Sequence, residues 1–95
     1  MIESFGDKLT EKIWAGEANI KGFDKILIKR AYKKIFEIHL SSEIESLRFP
    51  PSNHLEALTG NLKGFWSIRV NDKYRIIFKF EGCNAFEVQI SKHYQ

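Results

Sequence analysis

The chain has 95 residues, 43% hydrophobic and 28% charged, with a formal net charge of +3, which suits one globular domain over residues 1–95 and excludes a disordered or fibrous chain. A single cysteine, Cys83, excludes an internal disulfide, and His39, His54 and His93 show no ligand spacing, so neither a metal nor a cofactor is expected. No apolar run nears the ~18 residues of a membrane span, and Met1-Ile2-Glu3-Ser4-Phe5 lacks a basic segment leading into an apolar one, so the expectation is a reducing, cytoplasmic setting with no membrane partner.

In chain order, Ile2 to Phe5 is a candidate short strand. Asp7 is placed to cap a short helix running to Ala15, with Gly16 as its stop. Asp24 is placed to cap a longer one reaching about Leu40, in which Ile28, Ala31, Tyr32, Ile35, Ile38 and His39 recur at three- and four-residue spacing as a buried stripe. Lys25, Lys29, Lys33 and Lys34 fall on its other face, which reads as solvated or as a contact for nucleic acid or an acidic segment. Ser41 to Gly60 reads mostly as loop, because Pro50-Pro51 forbids a regular ladder or helix interior, with a helical turn at Glu43–Leu47 and another short element at Leu55–Leu58.

From Phe65 the period becomes two. Trp66, Ile68 and Val70 alternate with Phe65, Ser67 and Arg69. After a turn at Asn71-Asp72, Tyr74, Ile76, Phe78 and Phe80 alternate with Arg75, Ile77 and Lys79. After Glu81-Gly82, Phe86, Val88 and Ile90 alternate with Glu87, Gln89 and Ser91. The apolar face must bury against the helices. An α+β fold follows, with N-terminal helices on one face of a small antiparallel sheet and a polar, basic open face carrying Arg69, Arg75, Lys79, Gln89 and Ser91.

Two segments carry a resemblance. Leu47-Arg48-Phe49-Pro50-Pro51-Ser52-Asn53-His54-Leu55-Glu56-Ala57-Leu58-Thr59-Gly60 is similar to the LR-x-PP-x-N-x-LE-x-L-x-G signature of HigB toxins. Ser67-Ile68-Arg69-Val70-Asn71-Asp72-Lys73-Tyr74-Arg75-Ile76-Ile77-Phe78 is similar to their SIR-[IV]-N-x-x-[YW]-R-[IL]-x-F signature. With the N-terminal helices, the chain resembles this branch of the RelE superfamily along essentially its whole length. The resemblance implies a RelE-like fold and a type II toxin that cleaves mRNA in the ribosomal A site, near ribosomal RNA. It also implies a helix-turn-helix antitoxin like HigA, through which alone the toxin meets operator DNA.

Several members of that family end on Asp-Tyr-His, residues tied to catalysis, where this chain reads Ile90-Ser91-Lys92-His93-Tyr94-Gln95. His93 matches the family histidine if Lys92 takes the tyrosine place and Ser91 the aspartate place. Alignment on Val88 and Ile90 instead puts Tyr94 on the histidine and His93 on the tyrosine. Neither alignment supplies a carboxylate.

RNA is cleavable by its own 2′-hydroxyl without a metal. Histidine suits the proton transfers, and Arg and Lys suit the developing phosphate charge. His54 and His93 are therefore the expected proton-transfer groups, with Lys92 assisting charge and Tyr94 positioning the nucleotide. Arg48, Arg69, Lys73, Arg75 and Lys79 are the expected RNA-backbone contacts. The competing expectation is that Arg69 and Arg75 pair with Glu87 or Glu56 and merely solvate the sheet. His39 reads as a core-edge residue, Trp14 and Trp66 as core, and Phe65 as a base-stacking candidate. Two other outcomes stay open: a ParE-like toxin that binds DNA gyrase, and a catalytically silent partner of an antitoxin.

Overall fold

The computed structural model describes residues 1–92; His93 and Tyr94 lie outside the described residues. Helix α1 spans Lys8–Trp14 and helix α2 spans Lys25–Leu40. Both begin where a carboxylate replaces a missing helical acceptor. Asp7 Oδ1 accepts the Thr10 N–H at 2.8 Å, and Asp24 Oδ1 accepts the Leu27 N–H at 2.7 Å, caps that stabilise by about 0.5–2 kcal/mol each. Two 3-10 turns, Ile44–Arg48 and Pro51–Asn53, lead into strand β1 (Glu56–Ala57). A third, Gly60–Leu62, precedes β2 (Trp66–Arg69), β3 (Tyr74–Glu81) and β4 (Asn84–Lys92). The four strands form one antiparallel sheet in chain order.

One face of the sheet packs on the helices. Ile28, Ala31, Ile35 and Ile38 of α2 meet Ile68, Ile76, Phe78 and Val88, with Ile13 and Leu47 closing the ends. Burying a side chain such as Phe78 contributes about 1.5–3 kcal/mol, so a chain this small depends on each of them. Thr10 is fully buried for a polar reason: its Oγ1 accepts the Ile90 N–H at 2.8 Å and pins α1 to β4.

Several expectations change. Tyr32 is not in the buried stripe. It is 41% exposed and stacks on Trp14 at 5.4 Å between ring centroids, because the amphipathic face of α2 is narrower than the spacing suggested. Trp14 is half-buried against the core. Lys34 leaves the solvated face, with its side chain 16% exposed beside Glu37. The N-terminal strand is realised as two parallel bridges, Ile2 to Ala85 and Phe5 to Val88.

The most consequential change lies in β4. Pairing runs from Ile77↔Gln89 to Lys79↔Phe86, so β4 carries one extra residue, and Glu87 sits at φ 52°. This bulge reverses the inward–outward phase. Ala85, not Phe86, faces the core beside Phe80, while Phe86 shares the open face with Lys79. That face is also less polar than expected, since Ile77 lies on it at 5% exposure between Ser67 and Gln89.

Candidate functional site

The open face of the sheet carries the site. Register places Arg69 of β2 directly opposite Arg75 of β3, and Ser91 of β4 opposite Arg75. Like charges facing each other across a ladder are unfavourable. Only one of the two is neutralised: Arg69 forms an ion pair with Asp72, three residues on, while Arg75 has none among the described residues. The Arg75 Nε is buried and has no hydrogen-bond partner among the described residues. Leaving a buried donor unmatched costs about 1–3 kcal/mol, more when it is charged. The position is therefore suited to an anion with several acceptor oxygens.

A cavity of about 230 Å³ opens over this pair. His54 and Glu56 line one side and Ser67 lies beneath. Asn71, Asp72 and Tyr74 line the far side. His54 arrives there by an unusual backbone. It follows the Pro51–Asn53 turn in the left-handed region, at φ 47° and ψ 51°. A non-glycine residue held so costs of order 1 kcal/mol and persists only where its surroundings enforce it.

The enforcing contact is Asn53, fully buried at the preceding position. Its amide nitrogen donates to the Leu47 carbonyl at 3.1 Å, the Phe49 carbonyl at 3.5 Å and Glu37 Oε1 at 3.3 Å. Its Oδ1 accepts from Lys34 Nζ at 2.6 Å, and Lys34 also pairs with Glu37 at 3.1 Å. The proline-bounded loop is thereby tied to α2, and His54 is presented at the end of that tie. At the opposite wall Asn71 Oδ1 accepts the N–H groups of Lys73 (2.9 Å) and Tyr74 (2.8 Å), which shapes the β2–β3 turn.

Of the residues expected to contact RNA, Arg69 and Arg75 line the cavity and the other three do not. Arg48 is exposed and bonded to Glu45, whose carboxyl that hydrogen bond holds below its ordinary value. Lys73 lines a separate concavity, with Gly22 and Asp24. Lys79 pairs with Glu87 at 2.9 Å and covers the Phe65 ring at 5.1 Å from its centroid, which occupies the expected stacking surface. The expected pairing of Arg69 and Arg75 with Glu87 or Glu56 does not form, since Glu87 is taken by Lys79 and Arg69 by Asp72. Among the proton-transfer candidates, His54 lines the cavity. Lys92, at the end of β4, stands across from Tyr74. His39 is satisfied elsewhere: its Nδ1 accepts the Ile2 N–H at 3.1 Å and its ring lies against Trp14.

Sequence reasoning missed Glu56, Asp72, Tyr74 and Asn53 as parts of the site. Glu56 is the most informative, because it supplies to the cavity a carboxylate that the chain's C-terminal motif lacks. Among the described residues, no group of three His, Cys, Asp or Glu is placed to hold a metal ion. None of their helices is long and apolar enough to cross a membrane.

Two helices against a four-stranded antiparallel sheet define the fold class of the RelE-like toxins. The toxin–antitoxin complex YoeB–YefM from Staphylococcus aureus has a chain with TM-score 0.62 at 16% identity, covering 99% of this chain and 97% of that one. YafQ from E. coli strain BL21(DE3) gives TM-score 0.61 at 16% identity, covering 98% and 92% respectively. In sequence, Toxin HigB-1 of Vibrio cholerae serotype O1 is 31% identical over 93 residues, 98% of each chain. The model of the RelE-like toxins of the type II toxin–antitoxin system HigB matches residues 3–93, and the chain belongs to that family.

Proposed function

We propose that this HigB-like toxin is a ribosome-dependent mRNA endonuclease that arrests translation, with the Arg69–Arg75 cavity as its active site. The observation that carries the reading is the buried, unmatched Nε of Arg75, beside Arg69 and within one cavity with His54 and Glu56. An internucleotide phosphate supplies the missing acceptors and neutralises the facing cations.

In the proposed reaction the 2′-hydroxyl attacks the adjacent phosphorus, and the 5′-oxygen leaves. Arg69 and Arg75 stabilise the charge that grows on the non-bridging oxygens. His54 and Glu56 border the same space and act as a proton-transfer pair. His93 and Tyr94 retain their proposed roles as second proton donor and nucleotide-positioning group, with Lys92 assisting charge. Because the nucleophile belongs to the RNA, the scheme needs no metal ion. Action on ribosomes places the protein in the cytoplasm, in contact with ribosomal RNA. Its regulator is an antitoxin, a helix-turn-helix protein like HigA that carries the toxin to operator DNA; the S. aureus structure, a toxin–antitoxin complex, supports this partner class.

The test is cell-free translation with purified components, followed by mapping of mRNA ends. Fragments that end within the A-site codon and appear only with ribosomes are expected. Intact mRNA together with blocked gyrase supercoiling would instead identify a gyrase-directed toxin.

A further inference from the structure

A second concavity, of about 490 Å³, lies against the first and shares Arg69, Asn71 and Asp72 with it. Its far wall is α2, which contributes Arg30, Lys33 and Lys34, and Ser52 of the proline-bounded loop lies between. Arg30 and Lys33 are exposed and form no ion pair among the described residues; Lys34 is held by Asn53 and Glu37. Like charges three and four residues apart on a helix destabilise it by about 0.2–0.5 kcal/mol per pair. Among the described residues, the one carboxylate lining this groove, Asp72, is already paired with Arg69. The groove therefore carries uncompensated positive charge, at a repulsive cost, beside Arg69 and the cavity.

We infer that this groove is a second backbone-phosphate subsite, holding the continuation of the same mRNA strand whose cleaved linkage lies over Arg69 and Arg75. The inference rests on the nuclease reading and adds the path of the strand. Arg69 stands at the junction, so consecutive phosphates pass from Arg75 and Arg69 toward Lys33 and Arg30. Contacts of this kind carry no base specificity and add salt-sensitive affinity.

The experiment measures binding of the full chain to ribosomes programmed with mRNAs bearing 2′-O-methyl groups at the A-site codon. These mRNAs are truncated at increasing distances on either side of that codon. Wild-type affinity is expected to rise when the strand grows long enough to enter the groove. The Arg30→Gln/Lys33→Gln variant should lose that rise, tenfold or more at moderate salt. Its log–log salt slope should fall by about 2, one for each phosphate contact removed. The charge-conserving Arg30→Lys/Lys33→Arg variant should recover the affinity. Equal weakening by the Gln variant at every mRNA length would overturn the inference by assigning the groove to ribosomal RNA. Retention of the length-dependent rise would overturn it outright. In both cases cleavage by the wild type still stands; absence of wild-type cleavage would bring down the nuclease reading itself.

Discussion

Lys34 Nζ donates to Asn53 Oδ1 at 2.6 Å, joining the middle of α2 to the loop that presents His54. The two residues are 19 apart in sequence, and the bond closes a network in which Asn53 satisfies two backbone carbonyls and Glu37. The shape of the cavity therefore rests on a buried polar clamp as well as on the sheet.

Replacing Asn53 by Ala leaves the Leu47 and Phe49 carbonyls without their donor. The expected loss of stability is about 1–3 kcal/mol, read as a lower urea midpoint and a Tm lower by about 4–8 °C per kcal/mol. Cleavage should fall further than the folded fraction does, because His54 loses the support for its left-handed backbone. A variant with unchanged midpoint and activity would remove the clamp from the account.

Arg75→Gln removes a cation that faces another and has an unmatched nitrogen. Folding should be unharmed within about 1 kcal/mol, because the repulsion with Arg69 goes with it. Affinity for programmed ribosomes should drop, with the salt slope reduced by about 1. Unfolding in circular dichroism would show instead that Arg75 is a structural residue.

Asp72→Asn releases Arg69 from its ion pair. The Asp72 side chain is 90% exposed, so the pair contributes at most about 1 kcal/mol to stability. Thermal melts should be nearly superimposable with wild type, while RNA-dependent binding tightens. Weaker binding would mean that Asp72 holds Arg69 in its productive position.

Glu56→Gln keeps the shape of the cavity wall and removes one of its carboxylates. Single-turnover cleavage should slow by about a hundredfold if Glu56 takes part in proton transfer. A rate within twofold of wild type would leave the proton transfers to the histidines.

Much of this architecture was legible from residue order. Asp24 and the spacing Ile28, Ala31, Ile35, Ile38 located α2, and the alternation about Asn71-Asp72 located β2 and β3. The phase of Phe86 was not legible, because the bulge turns on Glu87 at φ 52°, a conformation that a glutamate does not advertise. Lys34 read as a solvated lysine because its partner is remote in sequence. Glu56 was passed over because β1 is only two residues long, both exposed, and so has no periodicity. The concavity that Lys73 lines with Gly22 and Asp24 was not legible, because those neighbours of the turn are remote in sequence. His54 was picked out through the Pro-Pro segment; its left-handed backbone and buried anchor became visible only in three dimensions.

His54→Gly separates chemistry from folding better than an alanine variant, because glycine occupies φ 47° freely. The account predicts stability within about 1 kcal/mol of wild type, with single-turnover cleavage of ribosome-bound mRNA slowed by at least about a hundredfold. Cleavage at the wild-type rate by a folded His54→Gly protein would contradict it.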